Sequence, residues 1–486
     1  MENLIPETLN KTNDYYCTWQ AQLYASDNGG PIGQREHITE DDIFTLDRKA
    51  GKGFAHQHKN IRKDLFFVID DGWDVPFDND EKYYGSLILN REKFPEAYAE
   101  SEKTGKSPLY CLARRIEGMG WKGLGLWICA QESPIREDYA DPDTYWINRL
   151  KESNDAGIRY WKLDWGTRCE DADFRNKLTL LARKYAPNLV IDQAKAHECI
   201  PTSDVFRSYD VPALMSIPRT FEKMGRLLRY TAKPGFDGVV NCEDEAYLAA
   251  ALGLSMGIMR HNMTECFPCG TPDLSFPAMH RDLKTKMNEI KRAVNFHKIA
   301  PAFAVDEKNT EISDEFLEDG WLVEHYMAEI EDWWGYRNGD IIDGAGPAYI
   351  TRNVDLCNLK IGKSEMKPFY AASINPNGVA AIATFGRTKG RNYIVPDAEF
   401  TFGAKNADTV GVFGCYEKLS IVFNYSLNGK KIYAQDLAGE ESVDITSLAD
   451  ISGNNLTLSG NLIESLGAVE NPEGDTSEAG LLIKII

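Results

Sequence analysis

The sequence predicts an α/β chain: a closed (β/α)8 barrel followed by a C-terminal antiparallel β-sandwich. Three observations predict it. Over the first 300 residues, eight short runs rich in Val, Ile, Trp, Phe and Tyr alternate with longer stretches of helical spacing, as parallel βαβ units require. Most of these runs are apolar on both faces until a charged or polar cluster closes them. Strands buried along their length and functional at a C-terminal mouth read this way. From about Lys367 the helical signal stops, and short extended runs follow with Gly, Asn and Asp between them.

In chain order, the expected barrel strands are Tyr15–Gln22, Leu65–Trp73, Gly123–Ala130, Ile158–Trp165, Leu189–Ala194, Val205–Val211, Gly238–Asp244 and Leu254–His261. Helical spacing marks Pro142–Ala156, Asp171–Tyr185, Pro218–Ala232 and Pro277–Ala300. Beyond residue 300, Glu311–Trp334 is acidic and aromatic, with helical spacing in Asp314–Trp334. It reads as an excursion from the barrel, so the catalytic unit is expected to span 1–365 and the sandwich 366–486. In the sandwich, Phe369–Ile374 and Val379–Phe385 flank Asn375-Pro-Asn-Gly378, a turn composition between two extended runs. Leu419–Asn424 and Leu481–Ile486 are further strand candidates.

Composition narrows the partners. A chain of 486 residues that is 43% hydrophobic can bury a substantial core. A formal net charge of −20, with no block of Lys and Arg, disfavours nucleic acid and an anionic membrane surface. The longest mostly apolar run, Ala246 to Met259, falls short of the roughly 20 residues a spanning helix needs. The N-terminus MENLIPETLN lacks a basic start followed by an apolar stretch, so a cytoplasmic protein is expected. Ten cysteines in a chain of this length is ordinary usage, and those in apolar runs, such as Cys17 and Cys129, read as small hydrophobes.

The clusters that close the strands consist of carboxylates, tryptophans and single cations. The second strand ends Phe67-Val-Ile-Asp-Asp-Gly-Trp73. Neighbouring acids point to opposite faces of an extended chain, so Asp70 and Asp71 can share a pocket only where strand gives way to loop, and Gly72 supplies that freedom. The fourth reads Arg159-Tyr-Trp-Lys-Leu-Asp-Trp165, with Lys162 and Asp164 on one face. The sixth places Arg207 and Asp210 near its end, and the seventh closes with Asn241-Cys-Glu-Asp244. Acids at four strand ends converge on one mouth. Convergent carboxylates raise one another's pKa unless a cation intervenes, and Lys162 and Arg207 are placed to keep Asp164 ionised. Two carboxylates with aromatic platforms suit cleavage of a glycosidic bond.

These motifs resemble the α-galactosidase and α-N-acetylgalactosaminidase group, glycoside hydrolase families 27 and 36. The likeness rests on Ile69-Asp-Asp-Gly-Trp73, Gly123-Leu-Gly-Leu-Trp127 and Tyr160-Trp-Lys-Leu-Asp164. It continues in Phe206-Arg-Ser-Tyr-Asp210, Asn241-Cys-Glu-Asp244 and the segment Phe369–Thr388. The resemblance implies a retaining exo-α-glycosidase acting by double displacement on terminal galactose-type sugars. It assigns Asp164 as nucleophile, Asp210 as acid/base, and Lys162, Arg207, Asp70 and Asp71 as substrate-binding groups. Trp19 and Trp127 match aromatic pocket positions. Gln193 and Asp244 complete the expected set. The chain departs from the family-27 pattern in having one residue fewer between Arg207 and Asp210, and in carrying Asn-Cys-Glu-Asp where that pattern has Asn-Asp-Pro-Asp. The fifth-strand end, Ile191-Asp-Gln-Ala-Lys-Ala-His197, is expected near the sugar's 2-substituent. Larger residues there imply a bare hydroxyl, smaller ones an N-acetyl group, and the expectation leans to the galactoside.

Other motifs lack the partners their chemistry would need. Cys266-Phe-Pro-Cys269 has half-site spacing but no second CxxC, and His56-Gln-His58 has no ligand partner nearby, so neither metal nor cofactor is expected. Trp333-Trp334 suggests packing of the excursion onto the barrel, or an outer subsite. The rival classes are a metal-dependent barrel isomerase or lyase, and a carbohydrate-binding protein that kept the pocket without the chemistry. Oligomeric state is open. The expected partner is an oligosaccharide or glycoside.

Overall fold

The computed structural model describes residues 2–19, 21–22, 31–47, 50–77, 85–132, 141–208, 216–259, 287–322, 339–362, 366–390, 392–472, 475 and 477–486. Eight parallel strands close a barrel in sequence order: β1 (Tyr15–Cys17), β2 (Phe66–Ile69), β3 (Gly123–Ile128), β4 (Tyr160–Leu163), β5 (Val190–Gln193), β6 (Val205–Arg207), β7 (Val239–Glu243) and β8 (Ser255–Ile258). Tyr15 pairs with Phe66 on one side and with Gly257 on the other, which seals the ring. All eight expected strands form, each shorter than its apolar run. The trimmed ends are where the charged and polar clusters lie.

Helices α1 (Pro95–Thr104) and α2 (Pro108–Gly118) follow β2, α3 (Pro142–Ala156) follows β3, and α4 (Ala172–Tyr185) follows β4. Helices α5 (Ile217–Leu227), α6 (Ala246–Leu252) and α7 (Met287–His297) follow β6, β7 and β8. Their starts are written in the sequence. Ser107, Asp141, Asp171 and Ser216 each accept a backbone N–H two or three residues on, and proline occupies the first or second position of α2, α3 and α5. Between β5 and β6 the chain makes only a short 3-10 segment, His197–Thr202.

Alternation along the strands sorts residues between two environments. Outward residues such as Phe67, Leu126, Trp161, Ile191 and Val240 join the helices in the main core. Inward, an aromatic layer of Tyr15, Phe66 and Tyr160 fills the barrel, with Tyr160 centred 5.3 Å from Tyr15 and 5.4 Å from Phe66. Charged groups lie above it, toward the C-terminal end.

The C-terminal strands form an eight-stranded sheet and a five-stranded sheet packed around a second core that includes Phe400, Phe402, Ile421, Leu456 and Ile483. The sandwich is thus present, but its sheets are mixed. Tyr349–Arg352 runs parallel to Phe369–Ile374, Ala380–Phe385 to Thr409–Phe413, and Ala398–Lys405 to Lys418–Phe423. Strands Thr310–Ile312 and Tyr349–Arg352 join the eight-stranded sheet, and Cys357–Ile361 joins the five-stranded one. Segment 301–365, expected with the barrel, therefore supplies strands to both sheets of the sandwich. The helical spacing expected from Asp314 gives way to a strand, Phe316–Leu322, paired antiparallel with Ile341–Pro347. Among the described residues, no helix is long and apolar enough to cross a membrane.

Aromatic packing and a buried ion pair are among the contacts that join the two units. Phe221 of α5 packs on Phe369 and Phe385, and Phe296 of α7 and Tyr247 of α6 pack on Phe413. Arg292 on α7 makes a bidentate pair with Asp436, both N···O distances 2.8 Å.

Candidate active site

The fourth strand delivers the centre of the site. Lys162 and Asp164, two apart, both face into the barrel, while Leu163 between them faces the core. Asp164 Oδ2 accepts a hydrogen bond from Trp127 Nε1 at 2.9 Å, and Oδ1 lies 2.9 Å from Arg207 Nη2. Lys162 Nζ stands 3.9 Å from Asp164 and donates to Asp70 Oδ2 at 2.6 Å. Asp164 is only 5% exposed, so these contacts act where water screens little. Burial disfavours the charge on Lys162, but Asp70, Cys17 and Asp164 together outweigh it and the ammonium is held above its ordinary range.

The close of β2 separates its two acids. Asp70 Oδ1 accepts the Asp71 N–H at 2.9 Å, and Oδ2 also accepts from the Cys17 thiol. Asp71 instead pairs with Arg35 Nε at 2.8 Å. Burial pushes the Asp71 carboxyl up to about 6 against the pull of Arg35. The turn that separates them needs Gly72, whose φ is +113° and whose missing Cβ would lie 2.6 Å from the Arg35 carbonyl oxygen. Lys93 Nζ ties the turn by donating to the carbonyls of Arg35 and Gly72.

The structure thus brings Asp70, Trp127, Lys162, Asp164 and Arg207 into one contact network, with Asp71 beside it. Trp127 is 2% exposed, so it buttresses Asp164 rather than offering an open platform. Trp19 is half-buried against the cluster of Tyr15, Cys17, Phe66 and Tyr160 at the rim. Trp165, directly after Asp164, is 45% exposed, with Lys195 Nζ 4.3 Å from its ring centre. Asp244 closes β7 with φ +61° and accepts the Met259 N–H at 2.8 Å, joining the ends of β7 and β8. Asp210 lies outside the described residues, as do Cys266, Cys269, His261 and Trp333-Trp334.

Gln193 does not join the site. Its amide donates to the Arg175 carbonyl and Thr179 hydroxyl on α4 and accepts from Arg175 Nη1, so it faces the helix layer. The inward residue of β5 is Asp192, 3.5 Å from Arg207. Glu243 on β7 is 3.8 Å from Arg207 Nε and accepts the Tyr15 hydroxyl at 2.7 Å. Neither acid was singled out from the sequence. Lys162 faces inward and pairs in register with Asp192, and that register, not alternation within β5 alone, puts Asp192 inside. Burial pushes the Asp192 carboxyl up to about 7 and raises Glu243, with Arg207 opposing both.

His56 Nε2 lies 3.0 Å from the Phe44 carbonyl oxygen, and the His58 ring packs 5.3 Å from Tyr16. Among the described residues, no group of three or more His, Cys, Asp or Glu side chains is arranged to hold a metal ion.

No family model and no curated protein matches the chain. Solved structures similar to it include a GH27 β-L-arabinopyranosidase from Geobacillus stearothermophilus, 12% identical over 98% of this chain and 96% of that one, with a TM-score of 0.42. Another is a candidate α-N-acetylgalactosaminidase from Bacillus halodurans C-125, 10% identical over 100% of this chain and 99% of that one, TM-score 0.41. A third is an α-amylase from Anoxybacillus, 9% identical over 98% and 99%, TM-score 0.42.

Proposed function

We propose that the chain is a retaining exo-α-glycosidase for galactose-configured sugars, with Asp164 as its nucleophile. One observation carries this reading: a buried carboxylate at the end of a barrel strand, gripped by an indole N–H and a guanidinium, with an ammonium 3.9 Å away. Those donors all point at a carboxylate, the form in which this side chain can act as a nucleophile. In the first step a carboxylate oxygen bonds to the anomeric carbon as the bond to the leaving oxygen breaks. A proton passes to that oxygen from Asp210, three residues past Arg207 at the close of β6. Water then attacks the glycosyl ester, Asp210 takes its proton, and Asp164 leaves as the free carboxylate. Asp70, oriented by Lys162, and Asp71, oriented by Arg35, are the acceptors for sugar hydroxyls.

A second reading concerns the 2-substituent. Gln193 faces the helices, so alternation puts Ala194 on the inner side with Asp192. A small residue there favours room for an N-acetyl group. Rates on aryl α-galactoside and aryl α-N-acetylgalactosaminide decide between the two.

The nucleophile assignment is tested by Asp164→Gly. It should abolish turnover of an aryl α-glycoside, and added azide should restore some of it as a glycosyl azide. Unchanged turnover in the variant sinks the reading.

A further inference from the structure

Among the described residues, the barrel beneath Asp164 encloses more acids than cations. The inward-facing groups among the described residues include Tyr15 and Cys17 from β1, Phe66 on and Asp70 closing β2, Trp127 from β3, and Tyr160, Lys162 and Asp164 on and just past β4. Asp192 comes from β5, Arg207 from β6, Asn241 and Glu243 from β7, and Met259 follows β8. Among the described residues, four carboxylates (Asp70, Asp164, Asp192 and Glu243) thus meet two cations, Lys162 and Arg207. Asp192, Arg207 and Glu243 are each no more than 1% exposed. A buried excess of negative charge is costly, and the usual relief is to retain a proton.

The distances say where. Lys162 is committed to Asp70 at 2.6 Å, and Arg207 to Asp164 at 2.9 Å and to the Leu163 carbonyl oxygen at 2.9 Å. Asp192 and Glu243 stand off from the guanidinium at 3.5 and 3.8 Å, beyond the roughly 2.7–2.9 Å of a close charge-assisted contact. Glu243 is nonetheless fixed, whereas among the described residues neither carboxylate oxygen of Asp192 has a hydrogen-bond partner. Glu243 is held by the Tyr15 hydroxyl, which crosses Gly257 where a Cβ would lie 2.6 Å from it, and Asp192 faces the Tyr160 phenol.

We propose that Asp192 and Glu243 are positioning residues: they flank Arg207 and together keep one proton at neutral pH, so that the guanidinium gives its charge to Asp164. The inference rests on the glycosidase reading for its effect on turnover, though not for the proton. The raised proton affinity of both acids agrees with it.

The test compares Asp192→Asn, Glu243→Gln and the two alanine variants with the wild type. Each alanine variant should lower kcat on an aryl α-galactoside by roughly 10–100-fold, the scale of a misplaced reacting group, with KM little changed. The amide variants should recover most of that loss. At pH 7 the infrared difference spectrum, wild type minus amide variant, should show the carbonyl stretch of a protonated carboxylic acid. Alanine variants with wild-type kcat, amide variants no better than alanine, or no such band would each overturn the proposal. If the alanine variants do not fold, kcat and the infrared band of the amide variants decide it. A wild type inactive on every glycoside would remove the glycosidase reading and the positioning role with it, leaving the band to decide the proton alone.

Discussion

Asp74 lies behind the mouth, 3% exposed, with Oδ2 accepting the Leu87 N–H at 2.7 Å. Burial pushes its carboxyl from 3.8 up to about 7. Because the folded acid binds its proton more tightly than the unfolded one, wild-type stability falls as pH rises from about 4 to about 7. Asp74→Asn removes that loss. Its advantage should grow through this window and level off above it, on the order of 2 kcal/mol after allowing for the amide's unmet donor. Urea unfolding at pH 4.5 and pH 8 checks it, and an advantage that shrinks with pH contradicts it. At this scale much of the site is legible. Asp70, Lys162, Asp164 and Arg207 announce themselves as charges closing apolar runs. Asp192 and Gln193 do not, because adjacent polar residues in a four-residue strand fit either phase, and only the neighbouring strand's register settles which one faces inward.

Among elements, the turn after β2 shows how a single backbone conformation sets the chemistry. Gly72 lets Asp70 turn to Lys162 and Asp71 to Arg35. Gly72→Ala would place a methyl carbon against the Arg35 backbone at a φ unfavourable for alanine, and should cost about 3 kcal/mol or more. A fall in melting temperature with a disproportionate loss of kcat/KM is the expected result; an alanine variant as stable as the wild type would show that the turn relaxes freely. The need for glycine here was readable from Asp-Asp-Gly. The strand Phe316–Leu322 was not, because it turns Leu317 and Asp319 inward together. Asp319 is paired there with Arg387 at 2.7 Å, and an inward acid erases the apolar alternation that marks a strand.

For the whole molecule, the boundary between barrel and sandwich is a shared core. Phe369, Ala371, Phe385 and Phe413 belong to the same cluster as the barrel's helices. Asp436→Ala would strand the fully buried Arg292 charge and should cost about 3–5 kcal/mol. Calorimetry should show one transition in the wild type, shifted down as a unit in the variant. Two resolved transitions would mean that barrel and sandwich melt independently.

The same core divides the barrel. All seven residues of α6 are buried, and α7 is nearly as enclosed, whereas α1 shows much of its surface to solvent. Strands β6 to β8, which carry Arg207 and Glu243, are therefore backed by two layers, and β2 to β4, which carry Asp70, Trp127 and Asp164, by one. Amide protons on the two arcs should exchange with deuterium at different rates, slowest around Val240 and Met256 and faster around Val68 and Leu126. The hinge for any breathing of the mouth would then lie with the acids, against a stationary arginine.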